Sequence, residues 1–368
     1  MKTIRRLFYG EVVSAVMLVT LGFIGLFYFF DFVDELQAVG RYKAAGYTIP
    51  HALLFVALMI PSHVYELLPI TVLIGTIFVM ARLAQSSEFT ILRTSGLGPW
   101  RALRTLFALG IGFVALTFAV GDYLAPIADR SAQLLKSRYQ GNVTVGKTGA
   151  WLKEKQSSGQ YAVNVGALAP DASMRDVRIF EFDNHGALVS MTQGKTARFS
   201  DDESWLLEKV DRTVFSGVDA EASHVERTLL DTFRWPTQVN TEMVSTAILR
   251  PERMGTVDLF QYIQHLNSNG QSSQKYEIQF WKKVFYPLSC LVMVVLALPF
   301  AYLHFRSGGI ATYVFGGVMA GISFVLLNNV LGDLGALQGW QPWFTAALPG
   351  LIYSMLSLAA FAWLVIRR

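Results

Sequence analysis

Six apolar runs punctuate the chain, each long enough to cross about 30 Å of hydrocarbon as a helix. They are Val12–Phe32, Ala52–Ala81, Leu103–Ala125, Val284–Tyr302, Ile310–Val330 and Phe344–Ile366. In lipid no water satisfies free backbone N–H and C=O groups, so runs of this kind are confined to helices. Composition agrees: of 368 residues, 52% are hydrophobic and 16% charged, with a mean hydropathy of +0.38. A soluble domain carries about 25% charged residues. Lys2, Arg5 and Arg6 precede the first run as they would a secretory signal. That run is too long for a signal, and no small-residue cleavage site follows it before Asp31, so it reads as a retained anchor. The single cysteine, Cys290, excludes an intrachain disulfide.

Charge placement sets the orientation. Lys2, Arg5, Arg6, Arg82, Arg93, Arg101, Arg104, Arg306, Arg367 and Arg368 all fall on one side of the six runs. The short loops on the other side carry Asp31, Asp34, Glu35 and Asp333, with Arg41 and Lys43 as exceptions. The excess of Lys and Arg in cytoplasmic loops places both termini in the cytoplasm. Six spans are consistent with that.

The long polar segment Pro126–Phe280 then lies outside the cytoplasm. It reads as strands and turns. "DVRIFEFD" is short, aromatic and β-branched, with Ile179 out of phase with Phe180 and Phe182, and it ends at the turn Asp183–Gly186. Two further runs flank the turn Asp201–Ser204, a spacing typical of antiparallel sandwiches. Leu259, Ile263 and Leu266 then recur at helical spacing, predicting a helix that leads back to the membrane.

Motifs for chemistry are sparse. There is no GxxxxGK[ST] loop to cradle nucleotide phosphates, no GxSxG elbow, and no basic–aromatic patch for nucleic acid. His63 and Glu66 stand one helical turn apart, as metal ligands can, but zinc needs at least a third ligand and no other span offers a histidine. A polar pair facing the bundle interior or the outer interface is the simpler expectation. Gly308–Gly309 and Gly316–Gly317 suit turns and close packing. The stretch "AQSSEFTILRTSG" (Ala84–Gly96) sits between two apolar runs as a short polar helix, with Ser86 and Ser87 as candidate N-caps and Gly96 as its stop. Either it rests in headgroups or it meets a soluble partner.

Several motifs bear on that choice: "LAQSSEFTILRTSGLGPWRALR", "FVDEL" (Phe32–Leu36), "GDYLAP" (Gly121–Pro126) and "GQSSQKYEIQFWKKVFYPLS" (Gly270–Ser289). In this order, and nearly end to end, they resemble the lipopolysaccharide export permeases (the LptF/LptG family, YjgP/YjgQ-like), and within it the LptG-like branch. The resemblance implies a membrane α-helical fold of three plus three transmembrane helices with an inserted all-β, jellyroll-like extracytoplasmic domain. Its parts would be residues 1–125, with a coupling helix at about 84–96, then 126–275 for the periplasmic domain, and 276–368.

The resemblance also implies an inner-membrane subunit that is not itself catalytic and binds no cofactor or metal. Its partners would be an LptF-like paralogous permease, a dimeric cytoplasmic LptB-like ATPase using ATP and Mg, a single-span periplasmic LptC-like bridge, and lipopolysaccharide. Gln85, Ser86, Ser87, Glu88, Phe89, Thr90, Ile91 and Arg93 would couple to the ATPase. Leu26, Phe27 and Phe30 on the first span, with Phe324 and Leu327 on the fifth, would line a lipid cavity. Arg41, Lys43, Arg130, Lys136 and Arg138 would meet lipid phosphates at the outer rim. Asp31 stands where some relatives carry a lysine, and a carboxylate cannot take that phosphate. A membrane scaffold, or a lipid-modifying enzyme with a periplasmic binding domain, is the alternative.

Overall fold

A computed structural model describes residues 2–86, 88, 91, 98–140, 150–156, 159–169, 173–183, 185–200, 204–216, 224–237, 239, 244, 251–302 and 310–366. The chain divides into two compact units. One comprises Met1–Glu35, Val56–Asp129 and Glu277–Arg368, the other Leu36–Phe55 and Arg130–Tyr276.

The first unit is helical. Its long elements are α1 (Lys2–Arg41), α2 (Ile49–Gln85), α3 (Pro99–Ala119) continuing through a π-helical turn at Val120–Leu124 into α4 (Ala125–Gln140), and, after the inserted segment, α6 (Gln274–Phe285), α7 (Leu288–Leu296), α8 (Ile310–Gln338) and α9 (Pro342–Ile366). Among the described residues, five continuous helical stretches are long and apolar enough to cross a membrane, and a bent pair counted as one span makes a sixth. That pair corrects the expected single span Val284–Tyr302: α6 and the stretch Leu288–Phe300 meet at 50°. The cause is Pro287, which has no N–H to return to Lys283 and whose ring crowds that carbonyl.

α2 is the hub, with 83% of its most apolar window buried, against 11% for α1. Phe8, Val12 and Val16 on α1 recur every fourth residue and bury against Leu68, Val72, Val79 and Leu83 of α2 and Leu106 of α3. Close approach depends on small residues. A methyl on Gly75 would come within 2.8 Å of the Val16 backbone. Gly317 and Gly321, four apart on α8, admit Ile77 and Ile70 of α2 in the manner of a GxxxG face. Gly317 therefore packs as expected of the Gly316–Gly317 pair, whereas Gly316 faces open space.

The second unit holds, besides the adjoining ends of α1, α2 and α4, the expected all-β segment and helix α5 (Thr256–Ser268). Six strands form one antiparallel sheet in sequence order: β1 (Ala150–Gln156), β2 (Gly159–Leu168), β3 (Met174–Phe182), β4 (Leu188–Ser200), β5 (Ser204–Ser216) and β6 (His224–Pro236). Its connectivity is a meander, and the sheet rolls. Gln156 Nε2 on β1 donates to Pro236 O on β6 at 2.9 Å, Thr237 donates to Glu154, and the Tyr161 and Trp235 rings lie 5.9 Å apart. Those contacts bring the edges of the sheet together at one corner.

Ile179 faces the interior of the sheet, and Phe180 and Phe182, half-buried, share the opposite face. Asp176 adopts φ 52° opposite Gly166, and neither joins the pairing that runs Val165↔Val177 and Ala167↔Arg175. The register is the same on both sides of that gap, and Val177 and Ile179, two residues apart, bury on one face by ordinary alternation. The predicted Asp183–Gly186 turn closes β3 onto β4, where Asp183 Oδ1 accepts from His185 and Ala187 N–H, each at 2.8 Å, and Gly186 takes φ 86°. The expected return helix is α5 (Thr256–Ser268), which buries Leu259, Tyr262, Ile263 and Leu266.

Candidate functional site

The stretch between α2 and α3 begins as a continuation of α2. Ser86 N–H donates to Arg82 O at 2.9 Å and its hydroxyl to Leu83 O at 3.4 Å. Ser86 therefore closes the end of α2 and does not act as the N-cap expected of it. Gln85 is exposed, and Glu88 and Ile91 are helical and exposed. Ser87, Phe89, Thr90 and Arg93 lie outside the described residues. Glu88 and Ile91, three apart, present a charge and an apolar side chain to the same side of one helical turn.

The lining candidates divide. On α1, Leu26 is 50% exposed, Phe27 36% and Phe30 56%. Phe27 also lies against His63, with ring centroids 5.2 Å apart. Phe324 is a correction: it is buried between Tyr353, at 5.1 Å, and Tyr286, at 6.2 Å, so it belongs to the bundle core. Leu327 packs partly against the same core. The open face of α8 instead carries Phe315, Met319, Ile322, Leu326 and Val330. Their spacing of three and four residues makes one stripe. Because α8 is apolar on every side, periodicity could not tell these residues from Phe324.

At the rim, Arg41, Lys43 and Arg130 are exposed. Lys136 is not a free cation, because its ammonium lies 4.4 Å from the centroid of the Phe55 ring. The side chain of Arg138 lies outside the described residues. Beside Lys136, Tyr139 and His51 share a hydrogen bond of 2.7 Å, and Tyr47 stacks on His51. This aromatic cluster joins the loop between α1 and α2 to α4, and nothing in the loop's composition marked it.

His63 has its partner on a different helix. Its Nε2 lies 2.5 Å from Oδ2 of Asp31, joining α2 to α1 within the first unit. Asp31, half-buried, thus has a partner inside the chain, as a carboxylate within an apolar helix requires. Among the described residues no cluster of His, Cys, Asp or Glu could hold a metal ion. Cys290 is buried and contacts Thr117 Oγ1 at 3.2 Å.

A second intramembrane polar site was not anticipated. Gly121, within the π-helical turn, packs so closely on Tyr65 that any side chain would overlap the ring. Its carbonyl accepts from the buried Lys283 Nζ at 3.0 Å, and Tyr286 OH donates to Glu66 O at 2.6 Å. The "GDYLAP" and "KKVFYP" motifs thus meet at one place in the fold.

Together these features define a class: a polytopic membrane protein with an all-β domain inserted between its third and fourth spans and an open apolar face on its first. Residues 6–366 match the family model for the lipopolysaccharide export system permease LptF/LptG, and the chain belongs to that family. It is similar to the lipopolysaccharide export system permease protein LptG of Haemophilus influenzae, 26% identical over 370 residues covering 100% of this chain and 99% of that protein. The LptG of Escherichia coli K12 is 27% identical over 342 residues, 92% of this chain and 90% of that protein.

Proposed function

We propose that this chain is a transmembrane subunit of an ATP-driven exporter that extracts lipopolysaccharide from the outer leaflet of the inner membrane and passes it to a periplasmic bridge. The observation that carries this is α1. It is a 40-residue helix with its apolar face open from Leu18 to Val33, in a chain of the lipopolysaccharide permease family. So large an apolar surface next to a packed hub suits acyl chains and a second permease subunit. Both termini and the stretch after α2 face the cytoplasm, and the rolled sheet faces the periplasm, as the Lys and Arg distribution supports. A dimeric ATPase binds at Gln85–Arg93, where Glu88 and Ile91 are exposed, and consumes the ATP and Mg. A paralogous permease closes the cavity, and a single-span bridge protein receives the lipid. Arg41, Lys43 and Arg130 meet lipid phosphates by charge-assisted hydrogen bonds. The test is purification from native membranes with mass spectrometry of partners and bound lipid. A paralogous permease, an ATPase and an acylated phosphoglycolipid are expected. Recovery of the chain without any of them would overturn the proposal.

A further inference from the structure

Helix α1 is held at its N-terminal end by both shoulders of the loop that follows α2. Before the loop, the Arg82 guanidinium lies 2.6 Å from Glu11 Oε2. That oxygen is shielded from solvent and makes no aligned hydrogen bond, so charge is what holds the pair. After the loop, Tyr9 OH donates to Thr105 O at 3.2 Å. Phe8 packs in the same core as Leu83, Ala102 and Leu106, residues on those two shoulders. One turn further along α1 the contact narrows to Val16 on Gly75. Beyond it, α1 is tied to α2 by Thr20–Thr71 at 2.9 Å and Asp31–His63 at 2.5 Å. A stiff helix gripped near one end, and tied further along at only these few points, shifts when the grip moves.

We infer that Glu11 is a positioning residue for transport: through its ion pair with Arg82, and with Tyr9 bonded to Thr105, displacement of the end of α2 and the start of α3 is passed to α1 and so to the lipid-facing stretch that contains Leu26, Phe27 and Phe30. This rests on the exporter function proposed above. Arg82 is one helical turn from Ser86 and moves with whatever grips Gln85 and Glu88. Neutralising either partner leaves a lone charge at the joint, and motion of the helix ends then reaches α1 only through apolar packing and the Tyr9–Thr105 hydrogen bond.

The experiment uses the whole complex in lipid nanodiscs or liposomes and reads lipopolysaccharide released per ATP hydrolysed. Glu11→Gln and Arg82→Gln are each expected to lower that ratio about five-fold or more, within the range of ordinary allosteric coupling, while hydrolysis and assembly stay near wild type. The exchanged pair, Glu11→Arg with Arg82→Glu, is expected to recover the ratio, and Tyr9→Phe to lower it by less. Wild-type complex that hydrolyses ATP but releases no lipid would overturn the exporter function itself. Wild-type release with an unchanged ratio in the single variants would overturn this inference alone. So would failure of the exchanged pair to recover, or loss of assembly in the single variants, which would make the pair structural.

Discussion

The ammonium of Lys283 donates to the carbonyl of Gly121 at 3.0 Å, and the two residues meet where neither helix is regular. Gly121 sits in a π-helical turn in which Ala125 N–H reaches back five residues to Val120 O. Lys283 lies one turn before Pro287, where the helix breaks. Each irregularity releases a backbone group that lipid cannot satisfy, and the buried lysine meets one of them. Gly121→Ala should cost about 1–3 kcal/mol by overpacking Tyr65. Lys283→Met should cost about 1–3 kcal/mol by stranding the Gly121 carbonyl. Thermal unfolding in detergent measures both, and melting temperatures equal to wild type would refute the joint.

Lys136 and Arg130 should separate. The cation–π contact of Lys136 with Phe55 is structural, so Lys136→Gln should lose about 0.5–1 kcal/mol of stability. Arg130 is exposed, so Arg130→Gln should leave stability unchanged and weaken lipopolysaccharide crosslinking. Melting curves and crosslink yields for the two variants check this, and the opposite pattern would reverse the roles.

His265 makes the β-unit acid-sensitive. Burial on α5 holds its imidazole below the ordinary value of 6.5, with Glu154 opposing in part. Its Nδ1 faces Asn269 at 3.3 Å, and Nε2 is buried without a hydrogen-bond partner. The folded state therefore prefers the neutral ring. The stability this contributes is complete above pH 6.5 and is lost as pH falls from there through the lower folded-state pKa. Amide hydrogen exchange of strands β1 and β2 in the full chain should quicken across that window, relative to a reference segment of α2. His265→Gln should flatten the dependence, and an unchanged profile in that variant would rule His265 out as its origin.

Glu88→Lys distinguishes a coupling element from a helix resting in headgroups. At an ATPase contact the reversed charge should cost about 2–5 kcal/mol of association. In an anionic leaflet a lysine is welcome. Pull-down of the ATPase, with export assayed in parallel, should show loss of binding or of coupling. Full recovery of both would place Glu88 outside the contact.

Much of this molecule is legible in its sequence, for identifiable reasons. Apolar length alone marks the spans, since lipid enforces helices. The Asp183–Gly186 turn and the Leu259–Ile263–Leu266 helix are equally local. Asp31–His63 and Lys136–Phe55 are not, because they join helices 32 and 81 residues apart in numbering (63 − 31 and 136 − 55) and leave no local trace. The burial of Phe324 is equally silent in the sequence, because a helix apolar all round has no preferred face to read. Pro287 was visible in "FYPLS", yet the apolar run continues through it, and only packing shows the 50° bend. The rolled sheet depends on Gln156–Pro236 and Thr237–Glu154, contacts between the first and last strands that strand patterning cannot supply.

The most direct measurement is ATP-driven release of lipopolysaccharide from liposomes containing this chain, its paralogous partner and the ATPase, with the periplasmic bridge as acceptor. Release is predicted only when all components and ATP are present, and the purified chain alone should hydrolyse no ATP, since its sequence has no phosphate-cradling loop. Equal release when this chain is omitted, or robust hydrolysis by the chain alone, would contradict the account.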